Sequence, residues 1–502
     1  MVTNKWSPER SEGNIKQIVP VVVAILLVNL LAGCARHQYP DRITSTPASP
    51  ESSKATAAGE SAVATPNPAG LPNVGTLPEP TPPPQVYVIQ RGDTLSSIAA
   101  RFGCDLDVLI KVNQIADANT LQVGQKLQVP ATQIETGPGT HLLPNSEFVN
   151  SPAYVHFDTA AFCAEQGGYL ADYDEMVAGQ LLSGPEIVGL VAHHLSVGPR
   201  LLLAIVELES GGVTNPTPSG QAFSYQVLAR MANELNRGYY DWRGRGMTLI
   251  TWTDGTATRY APTLNAATAG LQYFFSLNRT KGEWQALVGE GPGSFIETYR
   301  RLFDDPAQYA VEPLIPADTT CPPLALPWTK GELWYYTGGP HGGWGDGSAW
   351  AALDFVPDEG VLGCAVASSW AIAAAPGLII YSQDGEVMID LDEDGHEETG
   401  WVLFYLHVAS QDRVAVGTRV RQGAHIGHPS CEGGFAESSH LHITRKYNGE
   451  WIAADGPLPL VLSGWQFHSS GVAYEGTATR GDQERTAWEC RDAEFCGILA
   501  DR

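Results

Sequence analysis

The sequence predicts a multidomain protein of the α+β class, and three observations support this. The chain has 502 residues, more than one domain usually holds. The segment 86–130 combines short strand and helix patterns, and residues 151–325 carry helical patterns. Residues 326–502 carry strand patterns, including an Asn-Gly hairpin signal. We therefore expect a small βααβ module, a mainly α-helical middle module and a C-terminal antiparallel β domain.

The balance of charges argues against nucleic acid as a partner. The formal net charge is −25 at pH 7 and the isoelectric point is about 4.8. A chain this acidic would be repelled by a phosphate backbone. We therefore expect no nucleic acid among its ligands.

The amino terminus has the pattern of a secretory signal. Three basic residues precede an apolar run from Ile18 to Ala32, which is the order found in signal peptides. The run ends in Leu-Ala-Gly-Cys at Cys34, which resembles a bacterial lipobox rather than a transmembrane anchor. The resemblance implies a lipoprotein signal at 1–34 and acylation of Cys34. The lipid would anchor the chain to a membrane, in the cell envelope and outside the cytoplasm.

Two linkers are predicted on either side of the small module. Residues 35–85 are rich in Pro, Ser, Thr and Ala and hold few large apolar residues. Such a segment buries too little apolar surface to fold, so we expect an extended tether. Residues 131–150 form the second linker.

The segment 86–130 resembles a LysM domain. A short strand is followed by a helix with an apolar stripe at Leu95, Ile98 and Phe102, and the pattern closes with a second helix and strand. The resemblance implies binding of N-acetylglucosamine-containing glycans such as peptidoglycan. The groove candidates are Gly92, Asp93, Thr94 and Leu95 on one side and Asn119 and Leu121 on the other.

The helical region 151–325 contains a carboxylate of interest. Pro185 and Pro199 lie where a proline would begin a helix, and the second helix ends in Glu-Ser-Gly-Gly. This ending faintly resembles the lysozyme-like lytic transglycosylases and implies Glu209 as a general acid, with Glu207 as the other candidate. The Gly-Leu-Met-Gln segment of that family is missing. The alternative is a helical module with a solvated carboxylate at a helix end.

A His-x-His motif is the strongest chemical signal in the C-terminal region. Residues two apart on a strand point to the same face, so His440 and His442 would share one pocket. A surface pair is the alternative. Upstream lie a β-rich run that contains Tyr405-x-His407 and a segment of the form Gly-x-x-Val-x-x-Gly-x-x-Ile-Gly that ends at Gly427.

This order of motifs resembles the M23 (lysostaphin-type) zinc metallopeptidases over about the last third of the chain. The resemblance implies a Zn²⁺ ion held by a first histidine, an aspartate and the second histidine of His-x-His. Carried over, these are His341, Asp354 and His442. His407 and His440 would be the two non-ligand histidines, which orient or deprotonate water and stabilise the oxyanion.

The spacing of the first two ligands departs from that family and leaves two hypotheses open. The family commonly has His-x-x-x-Asp, but Trp350 stands four residues before Asp354, and His341 lies across a Gly- and Trp-rich stretch. If that stretch brings His341 to the metal, the chain is a zinc metalloendopeptidase that hydrolyses peptide bonds in peptidoglycan. If it does not, the chain resembles the non-catalytic M23-like activators of cell-wall amidases.

An acidic run raises the question of a second ion. Asp390, Asp392 and Asp394 alternate and are followed by Gly395, which resembles the start of a Ca²⁺ loop. Position twelve of that loop is Trp401 instead of Glu. An acidic, solvated turn is the alternative.

The cysteines indicate an oxidising compartment, with three bridges as candidates. A zinc-bound thiolate at Cys431 is the alternative for one of them. The candidate pairs are Cys163 with Cys321, Cys364 with Cys431, and Cys490 with Cys496.

Overall fold

A computed structural model describes most of the chain beyond residue 84. The described residues are 85–90, 93–102, 104, 106–115, 121–129, 135–219, 223–252, 256–359, 363–489 and 491–501. Within these ranges, no helix combines the length and the apolar character needed to cross a membrane. The predicted signal, Cys34, nearly all of the first linker, Gly92, Asn119 and Cys490 lie outside the described residues.

The small module has the predicted βααβ order. It consists of β1 (Gln85–Val88), α1 (Leu95–Phe102), α2 (Leu106–Val112) and β2 (Lys126–Val129). The strands β1 and β2 pair antiparallel, with Tyr87 opposite Leu127. Ile98, Leu109 and Leu127 are fully buried between the helices and the strands, so the apolar stripe of α1 forms the core.

The middle region is mainly helical, as predicted, and also contains short strands that the sequence patterns did not indicate. It begins within residues 131–150, where the prediction of a linker is wrong, because Leu142, Leu143 and Phe148 are buried in its core. Its helices are α3 (Asn145–Phe148), α4 (Thr159–Gln166), α5 (Gly184–Leu195), α6 (Pro199–Ser210), α7 (Tyr225–Tyr240), α8 (Ala266–Ser276), α9 (Lys281–Val288) and α10 (Phe295–Phe303). Its strands are β3 (Glu135–Thr136), β4 (Asp174–Val177), β5 (Gln180–Ser183), β6 (Leu249–Thr251) and β7 (Ala257–Arg259).

Local signals explain where α5 and α6 begin and end. Pro199 is the first residue of α6, where its fixed φ suits the helix and its missing N–H costs nothing. Pro185 lies in the first turn of α5, behind a capping box formed by Ser183 and Glu186. Gly211 ends α6 in the left-handed conformation, with φ of 73°.

The C-terminal region is an antiparallel β domain, as predicted. Its described strands are β8 (Leu333–His341), β9 (Ala352–Pro357), β10 (Ala371–Ile372), β11 (Gly377–Gln383), β12 (Glu386–Asp390), β13 (Trp401–Leu406), β14 (Arg419–Val420), β15 (His425–Gly427), β16 (Leu441–Tyr447), β17 (Glu450–Trp451), β18 (Val461–Leu462), β19 (Trp465–Ser469), β20 (Gly476–Arg480), β21 (Gln483–Thr486) and β22 (Gly497–Leu499). They include a nine-stranded sheet in the order β14-β11-β12-β13-β16-β9-β8-β22, with β17 beside β16, and a four-stranded sheet from β18 to β21.

The helical region and the β domain share one hydrophobic core. Phe404 and Trp451 of the sheet belong to the same buried cluster as the helical residues. The predicted Asn-Gly turn between β16 and β17 takes part in this contact, because Gly449 lies against the backbone of Asn150. A Cβ at Gly449 would lie 1.9 Å from the carbonyl oxygen of Asn150, so only glycine fits there. The helical region is therefore packed directly against the sheet that carries the histidines.

One predicted disulfide is present and another is wrong. Cys364 and Cys431 are bridged across 67 residues, which also rules out a thiolate ligand at Cys431. Cys163 is buried in α4, whereas the Cys321 thiol donates to the carbonyl of Pro459 at 3.4 Å, so these two cysteines do not pair. Sequence separation alone could not show which cysteines lie close enough to pair.

Candidate metal centre

Three neighbouring strands of the large sheet bring two histidines and an aspartate together. His442 of β16 lies directly opposite Asp354 of β9 in the strand register. His341 is the last residue of β8, which pairs with the other edge of β9. The atoms His341 Nε2, Asp354 Oδ1 and His442 Nδ1 lie 3.2 to 3.4 Å from one another. The sequence prediction had left open whether His341 reaches this position, and the structure places it there.

The close approach of β8 and β9 depends on a glycine. A Cβ at Gly338 would lie 2.5 Å from Oδ2 of Asp354, which faces it across the strand pair. The register shifts between Gly338 and His341, so the strand bends as it reaches the histidine. Any larger residue at position 338 would push the Asp354 carboxylate out of place.

The outer nitrogens of both histidines are held by backbone carbonyls. His341 Nδ1 donates to the carbonyl of Gly339 at 2.8 Å, and His442 Nε2 donates to the carbonyl of Gly343 at 3.1 Å. In a neutral imidazole the second nitrogen then carries a lone pair. His341 Nε2 and His442 Nδ1 therefore present lone pairs to the Asp354 carboxylate. Three converging lone-pair donors without a proton between them fit a bound cation.

The electrostatics of the cluster also suit a metal. All three side chains are buried. Burial lowers the pKa of His341 to about 4, so its imidazole is neutral at neutral pH. Burial alone would raise the pKa of Asp354, but positive charge beside its carboxylate lowers it. Protons on the neighbouring histidines have this effect in the metal-free chain, and a bound cation would have the same effect. Two imidazole nitrogens and one carboxylate oxygen form a donor set that Zn²⁺ accepts with a further position left for water.

The two other predicted histidines lie beside this cluster. The rings of His407 and His440 are 4.3 Å apart, and His440 Nε2 lies 3.7 Å from Asp354 Oδ1. His407 Nδ1 donates to the carbonyl of Glu432 at 3.0 Å. His407 also has a φ of 64°, a conformation that non-glycine residues rarely adopt and that is common at functional sites. All five predicted residues thus form one group.

One neighbour of the site was missed by the sequence prediction. The ring of Tyr474 stacks on His341 with centroids 4.1 Å apart. Tyr474 lies in the loop between β19 and β20, far from every motif in the sequence. Nothing in the local pattern marks it, and only the packing of the smaller sheet brings it to the site.

The loop after His341 is held by the helical region. The Asn233 side chain of α7 donates to the Asp346 carboxylate at 2.7 Å and accepts from the Gly347 backbone N–H at 2.9 Å. Trp344 stacks on His194 of α5, with centroids 4.1 Å apart. The Gly- and Trp-rich stretch therefore follows a path set by another part of the chain.

The two carboxylates considered for glycan cleavage, Glu209 and Glu207, lie in the helical region, and each is paired with an arginine. Glu209 accepts from Arg279 at 2.5 Å beside a cavity of about 10 Å³, which is too small for a sugar ring. Burial alone would raise the pKa of Glu207, but hydrogen bonds from Thr214 and Arg301 lower it. A general acid for glycan cleavage needs a raised pKa, so this geometry does not support that role for Glu207. The pairing of Glu209 and its small cavity likewise give no support for that role at Glu209.

The aspartate run makes hydrogen bonds within its own turn. Asp390 accepts from the backbone of Asp392 and Gly395, and Asp394 accepts from the backbone of His396. The three carboxylates lie close enough to share an ion. These contacts explain the turn without one, and the Ca²⁺ site stays a prediction.

The groove candidates of the small module divide into core and surface. Leu95 is buried in the core, Thr94 is exposed, and Leu121 is half-buried. Asp93 accepts from the Tyr87 hydroxyl at 2.6 Å and from the Gln90 backbone at 2.7 Å, which fixes the turn before α1. The Leu95 side chain is therefore a packing residue, and Thr94 remains available to a ligand.

Comparison with known proteins gives two family matches. Residues 87–130 match the LysM domain, and residues 141–317 match the family described as the N-terminal domain of LasA. The second match covers the helical region, which the sequence analysis had compared only faintly with the lysozyme-like lytic transglycosylases.

Individual relatives and solved structures add to the comparison. Protease LasA of Pseudomonas aeruginosa is 27% identical over 297 residues, which is 52% of this chain and 66% of the relative, just under two thirds of its length. The lipoprotein NlpD/LppB homolog of the same organism is 55% identical over 42 residues, 8% of this chain and 14% of that protein. The solved M23 metalloprotease pseudoalterin is 24% identical with a TM-score of 0.28, covering 34% of this chain and 97% of that one. The chain thus contains the predicted LysM module, and it is similar to protease LasA and to a solved M23 metalloprotease, in agreement with the prediction.

Proposed function

We propose that the chain is a zinc metalloendopeptidase that hydrolyses peptide bonds in peptidoglycan. The observation that carries the proposal is the convergence of His341, Asp354 and His442, with His407 and His440 beside them. These five residues come from four separate segments of the chain. The similarity to protease LasA also supports peptidase chemistry.

His341, Asp354 and His442 would hold the zinc ion. The ion would supply a Lewis acid and a bound water of lowered pKa. The backbone carbonyls of Gly339 and Gly343 keep the two imidazoles turned toward Asp354. These two hydrogen bonds fix which nitrogen of each imidazole carries the proton, so that the other nitrogen can bind the metal.

His407 and His440 would handle protons and charge next to that ion. His407 Nδ1 donates a hydrogen bond to the Glu432 carbonyl, so Nε2 is the nitrogen that carries the lone pair in the neutral ring. His440 uses Nδ1 on the Ser438 carbonyl at 2.8 Å and turns Nε2 toward Asp354. A neutral imidazole can accept a proton from water, and a protonated one can stabilise an oxyanion.

The remaining parts of the chain would bring the peptidase to its substrate. The LysM module would bind N-acetylglucosamine-containing glycan, with Thr94 as the exposed contact. The lipid on Cys34 would hold the protein at a membrane in the cell envelope, and residues 35–85 would let it reach the wall. The cut bond would lie in stem peptides or cross-bridges.

The activator hypothesis has lost its main support. It depended on His341 failing to reach Asp354, and the two side chains are 3.4 Å apart. The glycan-cleaving hypothesis depended on Glu209, which is paired with Arg279.

Digestion of purified peptidoglycan by the full-length protein tests the proposal. Mass spectrometry should find new peptide amino termini, which disappear with EDTA and in His442→Ala. Glu209→Gln should leave the products unchanged. An intact peptide fraction after exhaustive digestion would overturn the proposal, and anhydromuramyl ends would transfer the chemistry to the helical region.

A further inference from the structure

A second group of metal-type side chains lies between the helical region and the β domain. His193 and His194 lie in the last turn of helix α5, and Glu386 begins strand β12. His193 Nε2 is 3.0 Å from one carboxylate oxygen of Glu386, and His194 Nε2 is 2.9 Å from the other. One donor atom from each residue lies within 4.8 Å of the others. None of the sequence motifs includes these residues.

The outer nitrogens of both histidines are fixed, as they are in metal sites. His193 Nδ1 lies 2.9 Å from a carboxylate oxygen of Glu397, and His194 Nδ1 lies 3.3 Å from the Tyr225 hydroxyl. A metal-bound histidine almost always gives its second nitrogen to such a partner, which sets the tautomer. Both Nε2 atoms therefore turn toward the same carboxylate.

The charges around this group favour positive charge at His193. Glu386 and Glu397 place two negative charges against His193, and Lys446 supplies one positive charge at 3.2 Å from Glu397. A neutral His193 ring would direct a lone pair at one of the two carboxylates. Either an extra proton or a metal ion must lie there.

The surroundings leave space for such an ion and for its water. A cavity of about 600 Å³ is lined by His193, His194 and Glu386. Glu386 is only 1% exposed, so its charge is poorly compensated by solvent. His194 also stacks on Trp344, which connects this group to the loop that follows His341.

We propose that His193, His194 and Glu386 form a second binding site for a divalent transition metal of the zinc class. An ion there would fasten the helical region to the β domain. Two imidazoles and one carboxylate with adjacent space are a recognised zinc donor set. The proposal does not depend on the peptidase activity.

Metal binding to the full-length His442→Ala protein tests this site apart from the first. Titration with Co²⁺, followed by its visible absorption, should show one bound equivalent, and added Zn²⁺ should raise the melting temperature. Both effects should vanish when His194→Gln or Glu386→Gln is added. Circular dichroism confirms that each variant is folded, and two independent substitutions guard against one that misfolds.

The outcomes separate the two proposals. Two equivalents in the wild-type protein and one in His442→Ala support both sites. One equivalent in the wild type and none in His442→Ala would overturn the second site. His193, His194 and Glu386 would then be an ion-paired group in which a proton on a histidine balances the carboxylate. One equivalent that survives in His442→Ala but is lost with His194→Gln would support the second site and count against the proposed function.

Discussion

The Nε2 atom of His341 lies 3.4 Å from Oδ1 of Asp354, although residues 342–353 separate them in the sequence. The antiparallel pairing of β8 and β9 makes this contact possible, because a loop of any length can join two paired strands. The departure from His-x-x-x-Asp is therefore an enlarged loop between two paired strands, and it still brings His341 to Asp354. The loop in turn contacts the helical region.

We predict that Asn233→Ala weakens metal binding without unfolding the protein. The substitution removes two hydrogen bonds that hold Asp346 and Gly347, so the loop after His341 becomes less ordered. The loss of such outer contacts typically costs about 10- to 100-fold in metal affinity. Zinc affinity measured by competition with a chelator checks this, with exposed Arg230→Ala on the same helix as the control. Equal affinity in the two variants would show that the helical region does not position the loop.

Substitution of His407 should separate catalysis from metal binding. His407 lies beside the three donors but is not one of them, so His407→Ala should keep its zinc. The cleavage rate should fall by about 10²- to 10⁴-fold, the usual loss when an acid–base group is removed. Zinc content and kcat on a peptidoglycan fragment are the measurements. Loss of zinc together with activity would make His407 a structural support of the site.

Removal of the Cys364–Cys431 disulfide should lower both stability and activity. The bridge holds the loop in which Glu432 accepts the hydrogen bond of His407. A native disulfide typically contributes about 2–4 kcal/mol to the free energy of unfolding. The paired Cys364→Ser and Cys431→Ser variant should melt earlier and cleave more slowly. Unchanged cleavage in a destabilised variant would show that the loop does not need the bridge to place His407.

Glu207→Gln should destabilise the helical region and spare the peptidase. The Glu207 carboxylate accepts from Thr214 and Arg301 in a largely buried position, and hydrogen bonds to charged groups contribute about 1.5–3 kcal/mol. Its pKa is lower in the folded chain than in the unfolded chain, so this contribution is present above the unfolded pKa and is lost as the pH falls through the folded pKa. Denaturant unfolding at neutral and acidic pH should show the variant nearing the wild type in acid. A constant difference would contradict this linkage.

The sequence was informative where function depends on short motifs. His440 and His442 share a strand face because the strand repeat is two, and the five site residues could be named from local patterns and a family resemblance. The βααβ module and the helix starts at Pro199 and near Pro185 followed from local signals as well. These features are encoded within a few neighbouring residues.

Features that depend on long-range packing could not be predicted. Tyr474 contacts His341, and Asn233 holds the loop that follows it, but no local pattern marks either residue. The pairing of Cys163 with Cys321 was wrong because burial of Cys163 within α4 depends on how the helices pack. The side chain of Leu95, a groove candidate, lies in the module's core with the rest of the apolar stripe, and its part in a groove stays a prediction.

The most direct test of the central claim is the zinc content and cleavage activity of His341→Ala, measured together. We predict that this variant loses one equivalent of zinc and all detectable cleavage, as His442→Ala should, because both remove a donor from the same group. His425→Ala is the matched control, since this exposed histidine stacks on Trp370 away from the site and should keep both properties. A His341→Ala protein that retains its zinc and cuts peptidoglycan at the wild-type rate would contradict the account.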